Sequence, residues 1–271
     1  MNIYDQEGQT GMNNVEALAA TTIHSFAEQL EVQQIFLFGS YARGTYDQYS
    51  DVDLHVVTGD FAKTLARLSL IFENIGGVLL QFPIRASEGE VAYTVLFKNY
   101  PLYNKLDISI LHPRARIPFS DSKSVYWRDV EPGDHHSDFV PPTFAHARHT
   151  IYNYLLGALR YTKYRKRGMH FSAYKFYKAQ LESFLLTRYQ QIADDLTVEK
   201  MGILEHQALD NGEEYAGLKR YLYAGNEHAM DSLYVELLQA ALHDAKLHIE
   251  SDDEEALTQI LTFVKSELDL V

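Results

Sequence analysis

Two aspartates two positions apart inside an apolar run constrain this chain more than any other feature. Residues 51–57 read Asp-Val-Asp-Leu-His-Val-Val. In a strand successive side chains alternate faces, so Asp51 and Asp53 share one face while Val52, Leu54 and Val56 take the other, which can be buried. Another apolar run, Val32 to Phe38, leads into Gly39-Ser40-Tyr41-Ala42-Arg43-Gly44. Neighbouring carboxylates repel one another unless a cation sits between them. A turn of small residues lets backbone approach a phosphate closely.

Composition narrows the setting. At 271 residues, 46% of them hydrophobic, the chain is long enough for one large core or two ordinary ones. It has no cysteine, which removes disulfides and thiolate–metal sites and suits a reducing, cytoplasmic environment. Residues 1–14 are polar and do not read as a signal peptide, and no apolar run reaches the roughly 18 residues of a membrane span. The net charge of −13 disfavours general coating of nucleic acid and is compatible with a cationic small-molecule partner.

Periodicity predicts a helix over 15–30, a strand over 32–38, the double-aspartate strand, and a helix from Phe61 to Asn74 capped by Asp60 and stopped at Gly76-Gly77. Three more strand-like runs follow, Val78–Ile84, Val91–Phe97 and Tyr103–Leu111. In the last, Lys105, Asp107 and Ser109 share one face and Leu106, Ile108 and Ile110 the other. If this strand neighbours the first acidic one, Asp107 joins Asp51 and Asp53 as a third carboxylate. Five of the seven prolines fall in 112–142, which reads as a linker, with the lone Trp127 packing the two halves together. Beyond Pro142 helical spacing dominates, with helices expected near 143–166, 171–193, 196–209, 213–223, 228–249 and 253–268. The domains are therefore expected at 1–112 and 143–271.

An apolar strand, Gly39-Ser40, ten residues, Asp51-Val52-Asp53 and a later strand acid, Asp107, together resemble the DNA polymerase β-like nucleotidyltransferase superfamily. The form Gly-Ser-Tyr-Ala-Arg-Gly with Ser-Asp-Val-Asp-Leu looks most like its small bacterial branch, which holds the minimal and the antibiotic nucleotidyltransferases. The likeness covers about residues 30–112. The helical half is similar in size and character to the helical domains of such enzymes, including the HEPN-like type. The resemblance implies an α+β fold: a mixed sheet with flanking helices, then an all-α bundle. It also implies two Mg²⁺ ions on Asp51, Asp53 and Asp107, bridging to ATP or another nucleoside triphosphate. Gly39 and Ser40 would hold its β- and γ-phosphates, with Arg43 reaching a phosphate, and Asp107 would take the proton of an attacking hydroxyl.

Each of these residues also has an ordinary reading. Asp51 and Asp53 can be solvated edge acids, Ser40 a turn residue, Arg43 a loop arginine, and Asp107 a surface acid paired with Lys105. From Arg148 to Lys178 there are eight basic residues and no acid, leaving −21 over the rest of the chain. That segment is either a positive wall for a polyanion or a solvated helix face. On the helix 171–193, Lys175, Lys178 and Glu182 fall opposite the apolar face, the lysines as phosphate contacts and Glu182 as a substrate-binding acid, or as a plain i,i+4 pair. Arg165 and His170 match the Arg-x4-6-His spacing of HEPN ribonucleases. Ser172 stands where those often carry tyrosine, Gly168 interrupts the motif, and with 12 histidines one match is expected by chance.

The sequence thus reads as a nucleotidyltransferase that moves a nucleoside monophosphate, AMP from ATP first, to a hydroxyl. A small acceptor of the aminoglycoside or lincosamide type leads. The alternatives are a protein or tRNA acceptor, as in antitoxin-like minimal enzymes, and a catalytically silent nucleotide-binding module. No membrane partner is expected, and a homodimer is compatible with the chain.

Overall fold

The computed structural model describes residues 10–87, 89–114, 121–129, 146–188, 219–222, 224–245 and 251–270. It divides into two compact units, Met1–Phe144 and Ala145–Val271.

The first unit follows the alternation of its strands. Its elements in order are α1 (Thr10–Ala27), β1 (Val32–Phe38), α2 (Gly39–Ala42), β2 (Val52–Thr58), α3 (Phe61–Gly76), β3 (Val78–Ser87), β4 (Glu90–Phe97), β5 (Leu106–Leu111) and β6 (Lys123–Trp127). The strands make one six-stranded mixed sheet in the order β3-β4-β5-β2-β1-β6. Only β2 and β5 pair in parallel; β1/β2, β1/β6, β3/β4 and β4/β5 are antiparallel. Proline cannot donate to a ladder, and Pro83 accordingly lies in β3 at the sheet edge, beside a register shift.

The core collects the apolar faces of these strands with α1 and α3. Val52, Leu54 and Val56 of β2 and Leu106, Ile108 and Ile110 of β5 are buried with Leu18 and Phe26 of α1 and Leu68 and Phe72 of α3. The carboxylates of β2 and β5 therefore point to the opposite sheet face. Asp60 caps α3 as expected, accepting from the Lys63 amide at 3.0 Å. Gly77, with φ +66°, ends it.

The prolines between 112 and 142 hid a strand. Residues 123–127, expected as linker, form β6 and pair with β1. Trp127, expected to pack in a linker, is 62% exposed on that edge strand. What anchors β6 is its neighbours. The Tyr126 hydroxyl donates to the Ala27 carbonyl at 3.2 Å, and the Arg128 guanidinium donates to the Ala27 and Gln29 carbonyls at 2.9 and 3.0 Å. Those are carbonyls at and just past the C-terminal end of α1, where the helix itself has no donors left to offer.

The second unit contains α4 (His146–Lys166), α5 (His170–Arg188), α6 (Glu227–Ala245) and α7 (Ser251–Glu267) among the described residues. Helix α4 packs against the other three. Tyr161 stacks on Tyr234 with centroids 3.9 Å apart, and Leu155, Leu237, Ile260 and Val264 are fully buried. The helix expected over 196–209 and most of that over 213–223 lie outside the described residues.

Arg128→Ala takes the charged donor from the Ala27 and Gln29 carbonyls, which keep the Tyr126 hydroxyl and the Val32 amide, and is expected to cost about 1–2 kcal/mol, read as a lower urea midpoint at unchanged m-value.

Candidate active site

The site grows from the end of β1. Phe38 pairs with Asp53 across the β1/β2 ladder, so the next residue, Gly39, lies against the Asp53 carboxylate. Gly39 has φ +67°, and a Cβ there would stand 2.9 Å from Asp53 Cγ and closer still to one of its oxygens. Only glycine fits both the backbone and the space. The turn closes through Gly44 N–H to the Tyr41 carbonyl at 3.1 Å and Thr45 N–H to the Ser40 carbonyl at 3.0 Å. Ser40 is half-buried and Arg43 exposed.

The loop from Gly44 to Ser50 is tied down at both ends. The Tyr46 hydroxyl donates to Glu16 on α1 at 2.6 Å. Asp47 accepts from the Tyr49 amide and the Ser50 hydroxyl, both at 3.0 Å, as short polar side chains do in turns. The buried Asn104 amide donates to the carbonyls of Gln48 and Ser50 at 3.0 and 2.9 Å. Asp51 therefore enters β2 from a fixed backbone.

The parallel register of β2 and β5 places Asp53 opposite Asp107 and Val52 opposite Leu106. Asp51, Asp53 and Asp107 thus come together on one face of two adjacent strands, while their alternate neighbours face the core. Between them lies Lys105. Its side chain is 4% exposed, and its ammonium is 2.9 Å from Asp51 Oδ2 and bonded to Asp107 Oδ2. Burial alone would push this ammonium down; the charges of Asp107 and Asp51 outweigh burial and hold it above the ordinary lysine range. The Thr94 hydroxyl on β4 donates to the other Asp107 oxygen at 2.6 Å.

The three acids offer only oxygen, the donor set of hard divalent cations such as Mg²⁺. Among the described residues no three carboxylate or imidazole side chains converge as a complete cage. Mg²⁺ is commonly held by one or two carboxylates and completed by water and substrate phosphates, and Asp51 and Asp53 are the pair that would hold it.

Residues 21–93 match the nucleotidyltransferase domain family. That segment is a nucleotidyltransferase domain. It spans Gly39, Ser40, Asp51 and Asp53, and Asp107 lies beyond it on the paired strand. No curated protein matches the sequence. Among solved structures the chain is similar to a STING-associated CdnE c-di-GMP synthase from Capnocytophaga granulosa, at 13% identity, with 96% of this chain and 81% of that chain covered and a TM-score of 0.26. A likeness that faint carries no argument.

Outside the nucleotidyltransferase domain, Lys175, Lys178 and Glu182 lie on α5 of the second unit. Lys178 and Glu182 face each other at 3.5 Å with 62% and 46% of their side chains exposed, the plain i,i+4 pair. Arg165 and His170 do meet, at 3.2 Å. Arg165 is held by both Asp231 oxygens, at 2.8 and 2.9 Å, and by Glu227 at 3.0 Å, while His170 lies 2.7 Å from Glu227. That network joins α4, α5 and α6, a structural use that accounts for the motif.

Thr94 and Asn104 were not expected in this cluster, and Lys105 was expected only as an ion-pair partner of Asp107, which it is. Lys105 carried a signal, since it shares a face with Asp107. Thr94 and Asn104 carried none, because only the sheet register brings them near.

His55 follows Asp53 on the same face, is buried, and stacks on Phe38 with centroids 4.1 Å apart. Burial, more than nearby Arg85, pushes its imidazole down to about 4, with Glu90 opposing. The unfolded chain therefore binds the proton first as pH falls. Stability is full above about pH 6.5 and falls toward pH 4, by up to about 3 kcal/mol. Chemical unfolding at pH 7 and 4.5 measures this, and His55→Gln is expected to flatten that part of the curve. Gly39→Ala is expected to cost about 1–3 kcal/mol in the same assay and to displace Asp53, weakening Mn²⁺ binding.

Proposed function

We propose that the chain transfers a nucleoside monophosphate, AMP from ATP with release of pyrophosphate, to a hydroxyl of a small cationic acceptor such as an aminoglycoside or lincosamide, using Mg²⁺ held by the site acids. The observation that carries this reading is the in-register parallel pairing of β2 with β5, which sets Asp107 opposite Asp53 beside the Gly39 turn. Bound Mg²⁺ would supply neutralisation of charge on the attacking and leaving oxygens. The chain's own residues supply the rest. Gly39 leaves backbone open to a phosphate, and Ser40 adds a hydroxyl at the same turn. Asp107 accepts the acceptor's proton, oriented for it by Thr94. The sheet holds these groups rigidly, which is how positioning contributes to phosphoryl-group chemistry. The charge of −13 supports a cationic acceptor by long-range attraction.

A second reading has one observation in its favour. On α5, Phe171 is 95% and Tyr174 56% exposed, and with Lys175 and Lys178 they follow i, i+3, i+4, i+7 spacing. An exposed row of rings and ammonium groups suits a single-stranded RNA acceptor.

The test supplies α-phosphate-labelled ATP, CTP, GTP and UTP with Mg²⁺, and offers aminoglycosides and lincosamides, total RNA, cell extract or nothing. Label is expected on an antibiotic. Asp51→Asn is expected to reduce transfer at least about a thousandfold, equivalent to about 4 kcal/mol in the barrier. Label on RNA that drops in a Lys175→Glu, Lys178→Glu double variant selects the second reading. Tight nucleotide binding with no labelled product anywhere makes the chain a silent nucleotide-binding module.

A further inference from the structure

Lys105 is a buried charge with two acidic partners. It is buried between Asp51 and Asp107, and two of its three N–H donors are used by their carboxylates. Its position is not that of a long side chain folded over at random. The Lys105 carbonyl accepts from the Val52 amide at 2.9 Å, which pins the entry of β5 against β2. The neighbouring Asn104 holds the loop that delivers Asp51. The ammonium is thus delivered to the carboxylates by the same backbone that assembles them.

The ammonium already places one positive charge between two of the three carboxylates. Both Asp107 oxygens already accept one bond each, Oδ1 from Thr94 and Oδ2 from Lys105. A metal on Asp107 would stand beside a buried ammonium that already holds Asp51 and Asp107, and like charges that close repel.

We propose that Lys105 is a resident cation that takes the place of one of two metal ions, so that this site works with a single divalent ion on Asp51 and Asp53. The proposal rests on the nucleotidyl-transfer reading above. In it Asp107 is not a metal ligand. It orients the ammonium and, once the ammonium shifts toward an oxygen of the substrate, takes the acceptor's proton. The third N–H of Lys105 is the donor for that substrate oxygen. The oxygens that a second ion would neutralise are instead met by a fixed monovalent charge bearing hydrogen-bond donors.

The experiment counts Mn²⁺ bound to the full chain in the presence of a non-transferable nucleotide, α,β-methylene ATP, by loss of the free-ion electron-spin signal. The wild type is expected to bind one Mn²⁺ per chain and Lys105→Met two. The metal-free Met variant is expected to melt below the wild type and to regain the difference on adding Mn²⁺. Two ions in the wild type, or one in Lys105→Met, overturn the proposal and leave nucleotidyl transfer intact. No Mn²⁺ in either protein overturns it together with the metal-dependent reading. Should the Met variant fail to fold, the wild-type count decides: one ion supports the resident cation and two reject it.

Discussion

Like charge in one place is the difficulty around which the first unit is arranged. Asp51, Asp53 and Asp107 are brought together by strand pairing, and three carboxylates on one patch of sheet would push the strands apart unless compensated. Lys105 compensates two of them from within the same strand pair. The cost of burying its ammonium is offset by those partners, as a buried charge requires. The remaining order follows. The apolar faces of β2 and β5 bury Val52, Leu54, Leu106 and Ile108 under α1 and α3, which fixes the register that the carboxylates need. A slip of one residue would turn the acids into the core.

Much of this was legible because period-two alternation reports strand faces directly. The runs 32–38 and 91–97 became β1 and β4 almost residue for residue, and the shared face of Asp51 and Asp53 follows from parity alone. The neighbouring of β2 and β5 was not contained in either strand. Fifty-four residues separate Asp53 from Asp107, and only the sheet order supplies the contact. Thr94 and Asn104 are invisible for the same reason. β6 was hidden by composition: prolines at 113, 118 and 132 flank it, and a short exposed edge strand needs no strong apolar pattern.

The helical unit shows how a charge count in sequence overstates a field in space. Eight basic residues without an acid between Arg148 and Lys178 suggest a positive wall. At least three of them are met by acids. Arg165 is bound by Asp231 and Glu227, Lys166 lies 3.4 Å from Glu267, and Lys178 lies 3.5 Å from Glu182. All four acids come from outside the basic segment. A polyanion approaching this unit would therefore meet a weaker potential than the sequence promises, because opposite charges within a few ångströms cancel beyond a Debye length. The RNA reading proposed above therefore rests on the exposed rings of α5 rather than on charge.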